Sequence, residues 1–224
     1  MTRAFVIGNG PSLKAEQLDR IHQNGDVSFG VNRIHLIYPE TKWRPINWVI
    51  MDFSNSPFFP ADVYLHSGED YQCYVRSDIM AKFFEWCVRE RRDPILKNLN
   101  IVERCNHIDC DRFTSDGWHD PVCQMGGSVP TAIQLAVQME YDPIYTIGMD
   151  GYKKGNAENN FIVGYIPIDN VKVEKARIAN ETTELALHIA KNEGSNRGVK
   201  LIDATVGGSA YQALPEVDFY SLFD

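Results

Sequence analysis

One feature of this chain narrows its fold more than any other: the short apolar run Ala4-Phe5-Val6-Ile7 ends abruptly in Gly8-Asn9-Gly10-Pro11-Ser12. A run that short, apolar at every position, reads as a strand buried on both faces of a parallel sheet. The next segment reads as a helix through about Gln23, capped by Ser12, with Leu13, Leu18 and Ile21 on one face and Asn24-Gly25 as its stop. A strand, a glycine-rich turn and a helix start together form the opening of a βαβ unit. The free backbone N–H groups of the helix start make such a turn a natural seat for an anion.

The pattern then repeats. Val27–Val31 and Asn47–Met51 read as strands, and Val63-Tyr64-Leu65 as a further short one. Ser77 opens a helix to about Arg91 with Met80, Phe83, Phe84, Cys87 and Val88 on its apolar face. Leu99–Val102 reads as a strand, and the polar stretch 103–124 as irregular. Gly126-Gly127-Ser128 opens a helix through Met139, followed by the strand Ile144–Met149. After the polar stretch 151–171 come a long helix from about Val173 to Asn192 and a strand over Val199–Ile202. Strands alternating with helices predict a doubly wound, mostly parallel sheet in a three-layer α/β/α arrangement, Rossmann-like, and 1–224 reads as one domain.

Composition removes several functional classes. The formal charge is -8, and no run of Lys or Arg exceeds a pair, so a nucleic-acid-binding surface is not expected. No apolar stretch approaches the ~18 residues that cross a bilayer. The N-terminal apolar run is too short for a signal peptide. Five cysteines do not suggest a disulfide framework, and a reduced, cytoplasmic protein is the expectation. The sequence leaves a homo-oligomer open. Aromatics in 218–223 suit docking either on the domain or on another subunit.

In open parallel sheets ligands bind beyond the carboxyl ends of the strands. The residues falling there are Gly8, Asn9, Gly10 and Ser12 after the first strand, Asn32 after the second and Asp52 after the third. Asp150 and Tyr152 follow the late strand, and Gly127-Ser128 starts the helix that precedes it. The motif lacks the third glycine of a dinucleotide fingerprint and the Lys of a P-loop. Asn32 and Asp52 suit hydrogen bonds to a base or ribose, and equally suit capping a turn. Asp150 suits a ribose, a catalytic group or Mg²⁺. Cys105, His107, Cys110, His119 and Cys123 lack the spacing of a structural zinc site, and His119 and His107 are kept as candidate bases.

The motifs Phe5–Leu13 and Phe29-Gly30-Val31-Asn32, with the block Gly126–Ala132 and the strand Ile144–Asp150, resemble bacterial sialyltransferases that use CMP-sialic acid. The likeness is closer still to archaeal 6-hydroxymethylpterin pyrophosphokinase-like proteins and the motility-associated glycosyltransferases of flagellin. That family's domain end reads much like Leu201–Ala210 here. The resemblance implies that Asn9, Asn32, Gly127 and Ser128 contact the nucleotide and its phosphate, with Asp150 and Tyr152 near the ribose and leaving group. Two positions depart from it. Asp52 stands where the sialyltransferases carry Asn, and 151–171 holds no His where they carry their catalytic one. His119 and Asp52 are then the candidate bases.

These residues support three functional readings. The leading one is a glycosyltransferase moving a CMP-activated, nonulosonic acid-type sugar, with a nucleotide-sugar as its partner molecule. The second is ATP- and Mg²⁺-dependent pyrophosphoryl transfer to a pterin alcohol, with Asp52 and Asp150 as metal ligands. The third is a nucleotide-binding module without catalysis.

Overall fold

The computed structural model describes residues 2–51, 61, 64, 70–94, 97–103, 127–152, 160–162, 165 and 173–224. Seven strands form one sheet: β1 (Ala4–Ile7), β2 (Val27–Val31), β3 (Asn47–Ile50), β4 (Gln72–Arg76), β5 (Leu99–Val102), β6 (Ile144–Ile147) and β7 (Leu201–Asp203). The spatial order is β5-β4-β3-β2-β1-β6-β7, and every pairing is parallel. The chain winds outward from β1 to β5, then returns to β1's other side as β6. Strand order therefore reverses between β1 and β6, which makes that gap the topological switch point.

Successive β1 side chains feed two different cores. Ala4 and Val6 join Phe29, Val31 and Val49 beneath helices α3 (Ser128–Gln138) and α4 (Val173–Asn196). Phe5 and Ile7 join Trp48, Ile50, Val75 and Ile147 beneath α1 (Ala15–Gln23) and α2 (Ser77–Arg89). A strand sandwiched this way needs apolar side chains on both faces, which is why β1 has no polar position. The three-layer α/β/α, Rossmann-like arrangement is the one the sequence pattern predicts. No helix among the described residues is long and apolar enough to cross a membrane.

Several boundaries differ from expectation. Helix α1 starts at Ala15 rather than at Ser12, because Pro11-Ser12 form a turn closed by Leu13 N–H to Gly10 O (3.1 Å) and Lys14 is the cap. Of the strand expected at 63–65 only Tyr64 is among the described residues, and it is helical. The fourth strand lies at Gln72–Arg76, where only Cys73, Tyr74 and Val75 are fully sheltered between two neighbours. Helix α4 runs on to Asn196, and β7 starts at Leu201 because Val199 N–H turns back to Gly194 O (2.8 Å). The C-terminal aromatics dock on the domain itself. Phe219 is fully buried, Phe223 stacks on Phe5, and Arg3 lies 4.9 Å over the Phe223 ring while pairing with Asp26 at 2.6 Å.

Asp203 at the end of β7 is buried, accepting from Thr146 Oγ1 (2.8 Å) and Thr205 N–H (2.7 Å). Burial raises its carboxyl above the ordinary 3.8 despite those donors. The native state therefore holds this proton to higher pH than the unfolded chain does. The contribution to stability is full below the ordinary value and is lost as pH climbs through the raised one. An amide in its place accepts from Thr205 and donates to the Thr146 hydroxyl. The melting temperature of Asp203→Asn relative to wild type should thus rise as pH goes from about 4 to 7. A difference independent of pH would contradict this account.

Candidate functional site

Two glycine loops meet at the switch point. Gly8 N–H donates to Ile147 O (2.8 Å) and Gly10 N–H to Gly148 O (3.0 Å), so the turn after β1 is laced to the end of β6. The backbones touch: a Cβ on Gly8 would lie 2.5 Å from Gly148 O, and one on Gly148 2.5 Å from Gly8 O. Gly148 also takes φ +69, a left-handed conformation that glycine adopts without steric cost.

Asp150 completes the lacing. Its carboxylate accepts the Ser12 hydroxyl at 2.7 Å and the Ser12 N–H at 3.2 Å to each oxygen. The two residues satisfy each other, and neither lines the adjoining cavity. Gly10 lies directly under this bond, since a Cβ there would come within 1.9 Å of Asp150 Oδ2.

On the other side, Asn32 turns the chain after β2 with φ +47, which Asn tolerates better than most residues. Its Oδ1 accepts from Ser128 Oγ (2.9 Å) and from Met51 N–H (3.3 Å). One amide thereby ties the end of β2 to the end of β3 and to the first residue of α3. That helix opens at Gly127, at φ 92, with no side-chain cap, so its positive end is presented beside the strand ends.

Phe161 and Tyr165 lie against the loop after β1 and its neighbour. Phe161 N–H donates to Asn9 O (2.9 Å). The buried Tyr165 hydroxyl accepts from Asn9 Nδ2 (2.6 Å) and Arg33 N–H (3.1 Å), and Arg33 Nη1 donates to Tyr165 O (2.7 Å). Asn9 Nδ2 also donates to Val31 O (2.9 Å), whereas its buried Oδ1 has no hydrogen-bond partner among the described residues.

These pieces enclose a cavity of ≈ 340 Å³. That is within the ~300–1,000 Å³ typical of small-molecule sites. Gly8, Asn9, Gly10, Asn32, Gly127, Ser128 and Tyr152, all singled out from the sequence, line it together. Asp52, His119 and His107 lie outside the described residues, as do Cys105, Cys110 and Cys123. Among the described residues no group of three or more His, Cys, Asp or Glu could hold a metal ion. Cys73 and Cys87 are buried and free, and burial pushes the Cys73 thiol up so that it stays protonated.

The far wall includes Thr183 and Tyr211, which sequence reasoning missed, with Asn180 bonded behind it. Asn180 of α4 clamps Tyr152, accepting its N–H (2.9 Å) and donating to its carbonyl (3.0 Å). Tyr211 donates its hydroxyl to the same Asn180 Oδ1 at 3.3 Å, and burial pushes that phenol up to about 12. Tyr211 is therefore a hydrogen-bond donor at neutral pH rather than a base. An Asn inside a helix is an unfavourable choice with no local purpose, and that was the available signal for Asn180. Arg76, at the end of β4, went unseen because its strand did.

No protein-family model matches the chain, and no curated protein matches it in sequence. Among solved structures, a tyrosine-to-phenylalanine variant of the sialyltransferase CST-II in complex with CMP aligns with TM-score 0.47 and 13% identity, covering 100% of this chain and 98% of that one. An enoyl-[acyl-carrier-protein] reductase (NADH) from Aquifex aeolicus aligns with TM-score 0.31 and 11% identity, covering 99% of this chain and 78% of the other. Neither likeness carries weight for function at these values.

Proposed function

We propose that the cavity binds a nucleotide and that the chain is a nucleotide-dependent transferase, a glycosyltransferase using a CMP-activated sugar of the nonulosonic acid type. The observation that carries this reading is the cavity's position. It lies at the switch point, between a glycine loop that lets backbone approach a ligand and the uncapped positive end of α3. Phosphate is assigned to the N–H groups at the start of α3, and the glycine loop lets the ligand approach the backbone closely. Asn9, with its unpartnered acceptor, and Asn32 are assigned to the nucleoside, and Tyr152 lies beside them. The resemblance of the loop after β1, 126–132 and 144–150 to sialyltransferases that use CMP-sialic acid supports CMP as the nucleotide, and the likeness to pyrophosphokinase-like proteins makes ATP the competing ligand.

In the transfer, an acceptor hydroxyl attacks the anomeric carbon as the bond from that carbon to the phosphate oxygen breaks. The acceptor's proton passes to a general base and CMP departs with the bonding pair. Asp52 and His119 are the proposed bases. Asp150 acts through Ser12, by holding the glycine loop in place.

The test is a thermal-shift series with CMP, CDP, UDP, GDP, ADP and ATP, each with and without Mg²⁺. CMP should raise the melting temperature without metal, since a ligand at 100 times its dissociation constant adds about 2.7 kcal/mol. Stabilisation by ATP only with Mg²⁺ would replace this reading with pyrophosphoryl transfer. No response to any nucleotide would end it.

A further inference from the structure

Arg76 is the one charged side chain among the described residues that line the cavity. It stands at the carboxyl end of β4, where the strand passes directly into α2. Its side chain is 16% exposed, against 58% for its partner Asp78 in the first turn of α2. The guanidinium donates Nε to Asp78 Oδ1 and Nη2 to Oδ2 at 2.7 Å. Its Nη1 makes no hydrogen bond among the described residues. Asp78 thus holds one edge of a rigid planar fork and leaves another edge for the cavity.

The location narrows what that edge meets. The start of α3 is tied through Asn32 to the ends of β2 and β3. Strand β4 is the next strand over from β3, so Arg76 lies about one strand spacing, ~5 Å, beyond the phosphate position. The opposite end of the cavity carries neutral hydrogen-bonding groups, Asn160, Tyr152, Thr183 and Tyr211. A ligand laid along these strand ends meets neutral partners at one end, a helix start in the middle and a single cation just beyond.

We infer that Arg76 is a specificity-determining residue that takes the carboxylate of an acidic sugar whose phosphate sits at the start of α3. The inference rests on the nucleotide-sugar reading of this cavity and adds to it the residue that meets the sugar's acid group. In a 2-keto sugar acid the carboxylate and the phosphate share one carbon, so the two anions lie a few ångströms apart, as the offset between α3 and β4 requires. A neutral sugar places only hydroxyls there and leaves a sheltered guanidinium edge without a charge-assisted partner.

The experiment is calorimetric titration of the full chain with CMP and with CMP-N-acetylneuraminic acid, for wild type, Arg76→Gln and Arg76→Lys. The quantity read is the ratio of the two dissociation constants, which a general loss of folding or packing does not move. Arg76→Gln should lower the preference for the sugar acid over CMP at least tenfold, and Arg76→Lys should recover part of it. An unchanged ratio in both variants overturns the inference while leaving the nucleotide site intact. Wild-type protein that binds neither compound overturns the nucleotide reading, and this inference with it. Should Arg76→Gln not fold, the same ratio in Arg76→Lys decides, because lysine keeps the charge and loses the fork.

Discussion

Gly148→Ala is expected to destabilise the protein by about 2–5 kcal/mol, the sum of a left-handed backbone cost and an overpacked contact. The first part arises because Gly148 sits at φ +69. The second arises because the new Cβ would stand 2.5 Å from Gly8 O and 3.0 Å from Gly8 C, backbone atoms fixed by the β1–β6 pairing. No side-chain rotation relieves that contact; the two strand ends have to part. A loss of this size lowers the melting temperature by roughly 5–15 °C in a domain of this length. Gly8→Ala meets the mirror-image contact, 2.5 Å to Gly148 O, without the positive φ, and should cost less. A melting temperature for Gly148→Ala within about 2 °C of wild type would show that the loops separate freely.

Asn32 carries the second large effect, and its two substitutions separate stability from binding. Alanine removes the acceptor of the Ser128 hydroxyl and the Met51 N–H, both at buried residues, and keeps a left-handed backbone that alanine resists. A buried donor left without a partner costs ~1–3 kcal/mol, so Asn32→Ala should lose about 2–4 kcal/mol. Asn32→Asp retains the oxygen that accepts both bonds and should melt within a few degrees of wild type. It also puts a negative charge against the proposed phosphate position and should weaken CMP binding at least tenfold, read by calorimetry. CMP binding by Asn32→Asp equal to that of wild type would place the phosphate elsewhere.

The sequence made some parts of this molecule plain and hid others for identifiable reasons. Strands β1, β2, β3 and β6 are predominantly apolar and run on into Gly, Asn or Asp, so their existence and the residues beyond their carboxyl ends could both be read. Strand β4 escaped because its apolar centre, Cys73-Tyr74-Val75, is flanked by Gln72 and Arg76, and its burial comes from β3 and β5 rather than from its own pattern. Ser12 and Asp150 show a different limit. Each was a reasonable ligand-facing group considered alone, and only the fold reveals that they are bonded to each other. Asn180 and Tyr211 reach the site from α4 and from the segment after β7, and no local motif announces a contact made across that separation. The Asp52 and His119 expectations fall outside the described residues.

The lacing of Gly8 and Gly10 to Ile147 and Gly148 also bears on how the site comes into being. The glycine turn is written into the start of the chain, but its other half is encoded beyond residue 140, and Phe5 packs against Phe219 and Phe223 from the far end of the sequence. Contacts of such long sequence separation form late, because the entropy of closing the intervening chain is lost before they contribute. A nascent or proteolytically shortened chain lacking β6 would carry the glycine motif intact and yet have no cavity. Nucleotide binding would then report, in a single signal, that the two ends of the sequence have found each other.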